Sequence, residues 1–160
     1  MSAPSIKQEI LHLLYPGEQS LWHGGPSAVE AIRDVDQELA AWKPAEDAHS
    51  IWALTLHMAY WKFAVRQRLL GLEDTGFERS PDNFPDLPDI VSPSTWAADR
   101  TLLARHENAL LETVRSLDDG RLDEQLTGGY RVADQLFGVV LHDVHHVGQI
   151  LLIKRLSGSR

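Results

Sequence analysis

The chain has 160 residues, no cysteine and a formal charge of −8. That length is one domain's worth, read as a single unit over 1–160, and it can bury a core without disulfides or a structural metal. The acidic balance excludes a nucleic-acid backbone as the expected partner, and the missing cysteines exclude disulfides, thiolate metal sites and cysteine nucleophiles together. Met1–Leu14 has no charged segment followed by an apolar run, and no apolar stretch reaches the roughly 18 residues of a membrane span; Val139–Ile153 is broken by polar residues and by Gly148. The expectation is a soluble cytoplasmic protein that acts on a small molecule, without a membrane or nucleic-acid partner.

Ile6, Ile10, Leu13 and Leu14 give Ser5–Leu14 the spacing of a short amphipathic helix. Tyr15-Pro16-Gly17 is a turn, and a loop follows through Trp22-His23-Gly24-Gly25-Pro26. Ser27, with Glu30 three residues on, forms a capping box that predicts a helix over Ala28–Trp42, stopped by Pro44. Asp47 or Ser50 opens the next helix, which runs to Leu70 with Gly71 as the residue past its end. Its first three turns are apolar almost all round, as in a helix buried within the domain. Glu73–Pro93 holds four prolines and little periodicity, so it reads as a long irregular loop of functional or mobile character. Ser94 or Thr95 caps Trp96–Leu117, ended by Asp118-Asp119-Gly120. A connector with Gly128-Gly129-Tyr130 then leads into the last helix, which includes Gln135–Ile153. No strand pattern competes, and the fold class is all-α, a four-helix bundle.

Chemistry enters through the histidines, of which there are eight. A lone histidine is by default a half-exposed polar residue or a hydrogen-bonded core side chain, and His12, His49 and His106 are assigned so. His57 differs, because it sits in the most apolar part of a buried helix between Leu54 and Trp61. A buried imidazole needs a partner for each nitrogen, which either a metal or a second hydrogen bond in a structural core histidine supplies. On the last helix, His142 and His146 are one turn apart on one face, about 6 Å along the axis. Taking His142 as zero on a helical wheel, the apolar centroid falls at about +110°, His146 about 40° toward it and His145 about 60° away. The inward pair is therefore His142 and His146, with His145 at the rim. Three imidazoles plus solvent make an open tetrahedral site of the catalytic zinc type; nickel, manganese and iron(II) suit the same ligands.

Four neighbours of these residues carry open readings. Gln149 can hydrogen-bond a ligand or simply face solvent. Gly148 suits close approach of a neighbouring helix. Asp143 either partners an imidazole N–H or pairs with an arginine such as Arg66 or Arg68. Trp22-His23-Gly24 is either a lid over the metal or, as the leading reading, a tryptophan that anchors the first helical segment.

The segments His49-Ser50-Ile51-Trp52-Ala53-Leu54 with His57, His142-Asp143-Val144-His145-His146-Val147-Gly148-Gln149-Ile150, and Trp22-His23-Gly24-Gly25-Pro26-Ser27 together resemble the DinB/YfiT-like four-helix metalloproteins. The resemblance covers nearly the whole chain. It implies a bundle holding a divalent metal, usually zinc or nickel, on His57, His142 and His146. It also implies kinship with thiol S-transferases that use bacillithiol, mycothiol or glutathione, with a mycothiol-dependent maleylpyruvate isomerase, and with homodimers. One departure matters: the basic residue often found just before the Gly-Gln of the motif is Val147 here, which removes a cation from that position.

Three functions compete at this stage. The first is a metal-dependent transferase that activates a low-molecular-weight thiol for attack on an electrophile. The second is a hydrolase using metal-bound hydroxide, with Asp143 or His145 as general base. The third is non-enzymatic: a small-molecule or metal-binding module, or a stress-related accessory protein whose metal is structural. A bundle without metal is the plain alternative to all three.

Overall fold

Serines and aspartates decide where the helices begin. The computed structural model describes residues 5–14, 25–73 and 75–158. Its helices are α1 (Ile6–Leu14), α2 (Ala28–Ala31), α3 (Gln37–Ala41), α4 (Ile51–Leu69), α5 (Pro93–Ser116) and α6 (Val132–Leu156), with a 3-10 turn at Asp119–Asp123. Ser27 caps α2 through the expected box with Glu30, and Ser50 caps α4 by accepting from the Ala53 amide. The α5 cap is Ser92 rather than Ser94 or Thr95, because Pro93 takes the first helical position, where its missing N–H costs nothing. At the end of α4, Gly71 has φ +70° and the Leu72 amide bonds back to Gln67, the Schellman arrangement that a glycine at that position permits. Among the described residues there is no strand, only an isolated bridge between Gln125 and Arg131 closed by Gly128 and Gly129, both at positive φ.

The helix expected over Ala28–Trp42 is two short helices with a turn between them. Asp36 is the cause: its carboxylate accepts from the Leu39 amide and starts α3 afresh. The carbonyls freed by the break find side-chain donors on other helices. Ala31 O accepts from Lys154, Arg33 O from Arg100, and Val35 O from the buried Trp96 indole at 2.7 Å.

Two apolar clusters fill the bundle. One joins α2 and α3 to the first half of α4, the first half of α5 and the end of α6. The other joins α1 to the end of α4, the end of α5 and the first half of α6. α4 and α5 therefore run in the same direction and α6 against them, while α1 to α3 form a broken fourth stave. The parallel pair requires a crossover along the length of the bundle, so the long segment between Leu69 and Pro93 has a topological reason. That segment passes the middle of the molecule, where the core changes character. Between the apolar clusters lies a polar layer that includes His57 and Lys62 of α4, His106 and Glu107 of α5, and His142, Asp143 and His146 of α6.

By length and composition alone α6 could cross a membrane, contrary to the sequence expectation that no stretch would. Its inward face, however, is built into both apolar clusters, and its middle carries His142, Asp143, His145 and His146. It serves as the core helix of the bundle.

Candidate metal centre

Two helices bring three imidazoles to one point. His57 lies two turns into α4, and His142 and His146 lie one turn apart on the facing side of α6. His57 Nε2 is 2.8 Å from His142 Nε2, which is 3.1 Å from His146 Nε2. One ligand atom from each residue lies within 4.8 Å of the others, a group that could hold a divalent metal. His57 and His146 are buried, and His142 is half-buried.

The outward nitrogens fix which inward ones carry lone pairs. His57 Nδ1–H donates to the backbone carbonyl of Asn83 at 2.6 Å, and His146 Nδ1–H donates to Gln149 Oε1 at 2.6 Å. Both acceptors lack a proton of their own, so the Nδ1 of each ring holds the hydrogen and Nε2 is bare. Burial, foremost, lowers the His57 pKa to about 4 and that of His142 to about 3, with the neighbouring imidazoles adding to the effect on His142. Burial also lowers His146, against the opposing bond to Gln149. All three are neutral at pH 7, the form in which imidazole ligates metal.

Converging lone pairs repel, and a single proton on His142 Nε2 could satisfy only one of its two neighbours. A cation satisfies all three. Metal–nitrogen bonds of about 2.0–2.1 Å at tetrahedral angles set nitrogens roughly 3.3 Å apart, a few tenths of an ångström wider than the spacing here. The donor set, with the tautomers of His57 and His146 fixed, therefore fits a divalent ion.

A family model of the DinB superfamily matches residues 26–150. The chain belongs to the DinB superfamily. No curated protein and no solved structure matches it. The stretch matched to the DinB superfamily contains all three histidines of the cluster.

Around this DinB-superfamily cluster, several sequence readings meet their geometry. His145 is exposed, its ring 4.9 Å from that of His146, at the rim as the wheel placed it. His106 is buried and bonds Glu78 at 2.9 Å; His12 and His49 are exposed. Gln149 takes the ligand-bonding role through His146. Gly148 does not admit a neighbouring helix: a Cβ there would meet nothing within 4 Å. Asp143 pairs with neither Arg66 nor Arg68. Its carboxylate is in contact with Lys62 Nζ, while Arg66 bonds Thr113 and Arg68 bonds Gln135. Trp22, His23 and Gly24 lie outside the described residues.

The crossover segment supplies what sequence reading missed. Asn83, at φ +70°, turns its carbonyl to His57 and its side-chain oxygen to the Trp61 indole at 2.9 Å. Phe84 stacks on His57 with ring centres 3.9 Å apart and on His49 at 4.2 Å. Glu78 and Arg79 fasten the segment to α5 through His106, Arg105 and Asp99. The available signal was Pro81-Asp82-Asn83, since asparagine tolerates the left-handed conformation better than most residues.

Lys62 and Glu107 were also missed. Lys62 is fully buried, 3.3 Å from Glu107 and against Asp143. Burial works to lower the Lys62 pKa, but the two carboxylates outweigh it and hold the ammonium above its ordinary value. Burial raises Glu107, opposed by Lys62.

Beside the histidines, a groove of about 390 Å³ opens between α4 and α6. His142 lies in its wall, so the histidine cluster borders a space large enough for a small organic molecule.

Proposed function

We propose that the chain is a metal-dependent transferase: a divalent ion, zinc or nickel, held by His57, His142 and His146 activates a low-molecular-weight thiol for attack on an electrophile. The observation that carries this reading is the convergence of three neutral imidazoles on one point, with His142 among them in the wall of a groove, in a chain without a cysteine of its own. When bound, the ion supplies a positive charge that favours the thiolate over the thiol. His57 and His146 are held in the ligating tautomer by Asn83 and Gln149. Phe84 and Trp61 cover His57 and limit water on that side. In the transfer, the thiol gives up its proton to solvent through the open groove, a sulfur–carbon bond forms, and the leaving group departs with the electron pair.

Hydrolysis by metal-bound hydroxide fits less well. Of its two candidate bases, Asp143 is committed to Lys62 and His145 points to the rim. A purely structural metal fits less well still, because the groove reaches His142.

Elemental analysis of protein purified without a histidine tag or added metal should find close to one equivalent of ion. Thiol conjugation to a chloronitrobenzene should fall at least about 100-fold in His57→Ala. Equal rates in the two proteins, or ester cleavage that needs no thiol, would overturn the reading.

A further inference from the structure

The solvent faces of the two longest helices are unlike. On α5 the exposed side carries Arg105, Glu112 and Arg115, each paired with an opposite charge. On α6, Phe137, Leu141, Val144, Gly148 and Leu152 fall within an arc of about 80° at 100° per residue. Leu141 is 67% exposed, Leu152 54% and Phe137 39%. The only charged side chain from Gln135 to Ile153 is Asp143, and it turns inward to Lys62. Gly148 opens a notch in the middle of the stripe, where a Cβ would meet nothing within 4 Å and no other helix of the chain uses the space. Apolar side chains aligned in this way on the outside of a bundle mark a face that another surface covers.

The order along the stripe is complementary to itself in reverse. Laid antiparallel on a second copy, α6 sets Phe137 opposite Leu152, Leu141 opposite Gly148, and Val144 opposite His145. Charges return only at the two ends of the same arc, Asp134 in the first turn and Arg155 in the last, and the antiparallel pair brings these opposite charges together. A parallel pair would set each charge against its like and Gly148 against an empty notch. Asp134 is already bonded by Arg131, so the end contacts set direction more than strength.

We propose that α6 is the face through which two copies of this chain associate. The copies run antiparallel about a two-fold axis near Val144 and His145, with Leu141 of each seated in the Gly148 notch of the other. Asp134 and Gly138 also line the groove beside His142, so the pairing lays the 151–155 stretch of the second copy along that groove's rim. The association goes beyond the proposed function and does not depend on a bound metal. An interface confined to one helix per copy is at the small end for specific pairs, so it should form in the micromolar range.

Sedimentation velocity at about 100 µM should show a dimer that dissociates on dilution. Leu141→Arg and Leu152→Arg, at exposed positions, should each give a monomer with unchanged helix content by circular dichroism. Gly148→Leu fills the notch and should weaken association at least about tenfold. Because the chain has no cysteine, single cysteines report the register. With diamide as oxidant, Val144→Cys, next to the axis, should join two copies. Phe137→Cys should not, since the antiparallel pair sets the two 137 positions about 22 Å apart along the helix. A wild type that is monomeric at about 100 µM, a dimer that survives both arginine substitutions, or cross-linking through Phe137→Cys in place of Val144→Cys overturns the proposal. If the monomeric wild type sediments with phosphatidylcholine vesicles, the face belongs to a lipid surface instead.

Discussion

Lys62, Glu107 and Asp143 share one polar layer with His57, His142 and His146, between the same two apolar clusters, and Asp143 is the chain neighbour of His142. In the first group a buried ammonium is set against two carboxylates, so opposite charges answer one another within the chain. In the second, three neutral rings present lone pairs to each other, with their outward N–H groups already engaged at His57 and His146. The first cluster answers its charges within the chain, although Glu107 Oε2 and Asp143 Oδ1 accept no hydrogen bond; the second calls for a cation from outside. Buried polar residues that answer one another serve the fold, whereas those that converge on a shared point without an answer serve a ligand. The two are also electrostatically matched, since the ion group carries a formal surplus of one negative charge next to a site suited to a dication.

The largest effect should come from breaking the self-sufficient group. Lys62→Met leaves two buried carboxylates without their counter-charge, and removing one partner of a buried pair costs about 3–5 kcal/mol. Urea unfolding of the metal-free protein should show that loss. Replacing all three members together, as Lys62→Met, Glu107→Leu and Asp143→Leu, should recover most of it. If Lys62→Met is neutral, the group is not the structural half of the layer.

Emptying the other half should look different. His57→Ala and His142→Ala should change metal-free stability by less than Lys62→Met does, yet abolish the stabilisation that added zinc gives the wild type. That gain is about 4 kcal/mol at a free-metal concentration 1,000 times the Kd. Thermal unfolding with and without zinc measures both quantities. Stabilisation by zinc in either variant would contradict the three-histidine assignment.

These contrasts also explain what could be read from the chain. The histidine pair on α6 and His57 on α4 were legible because helical angle and apolar context are local properties of sequence. The Ser27 and Ser50 caps and Gly71 were legible for the same reason. Lys62 was hidden because its meaning depends on Glu107 and Asp143, which are distant in the chain and meet only when three helices pack. The crossover was hidden further, since Asn83 and Phe84 act through a backbone carbonyl and a ring face, neither of which leaves a periodic trace. Asp36 broke a predicted helix because a cap competes with propagation, a contest that Trp96, Arg100 and Lys154 decide from other helices.

Acid should separate the two halves by its direction and range. Above pH 6.5 the histidines are neutral whether folded or not. Below that value the unfolded chain takes up protons that the folded chain refuses, since burial holds His57 to about 4 and His142 to about 3. Stability of the metal-free protein therefore falls as pH drops from about 6.5 toward 3, by linkage. Substituting His57→Gln and His142→Gln should flatten that fall. An unchanged slope would mean that other groups carry the acid sensitivity.

The smallest effect tests how far the organising of the site extends beyond its ligands. Gln149→Leu keeps the helical propensity of the side chain but removes the acceptor that holds the Nδ1 proton of His146. The ring is then free to adopt the other tautomer or to rotate, and part of the population presents N–H where a lone pair is needed. Loss of such a partner costs metal affinity about 10–100-fold in comparable sites. The lower end is expected here, because Gln149 is half-buried and water can replace it. Competition for zinc against a chromogenic chelator would read the change, while urea unfolding of the metal-free protein should move by well under the Lys62→Met value. Asn83 offers no equivalent substitution, because its acceptor is backbone. His57 is thus oriented by the fold and His146 by a replaceable side chain, so a drop in affinity at Gln149 without a drop in stability would locate the adjustable side of the centre on α6.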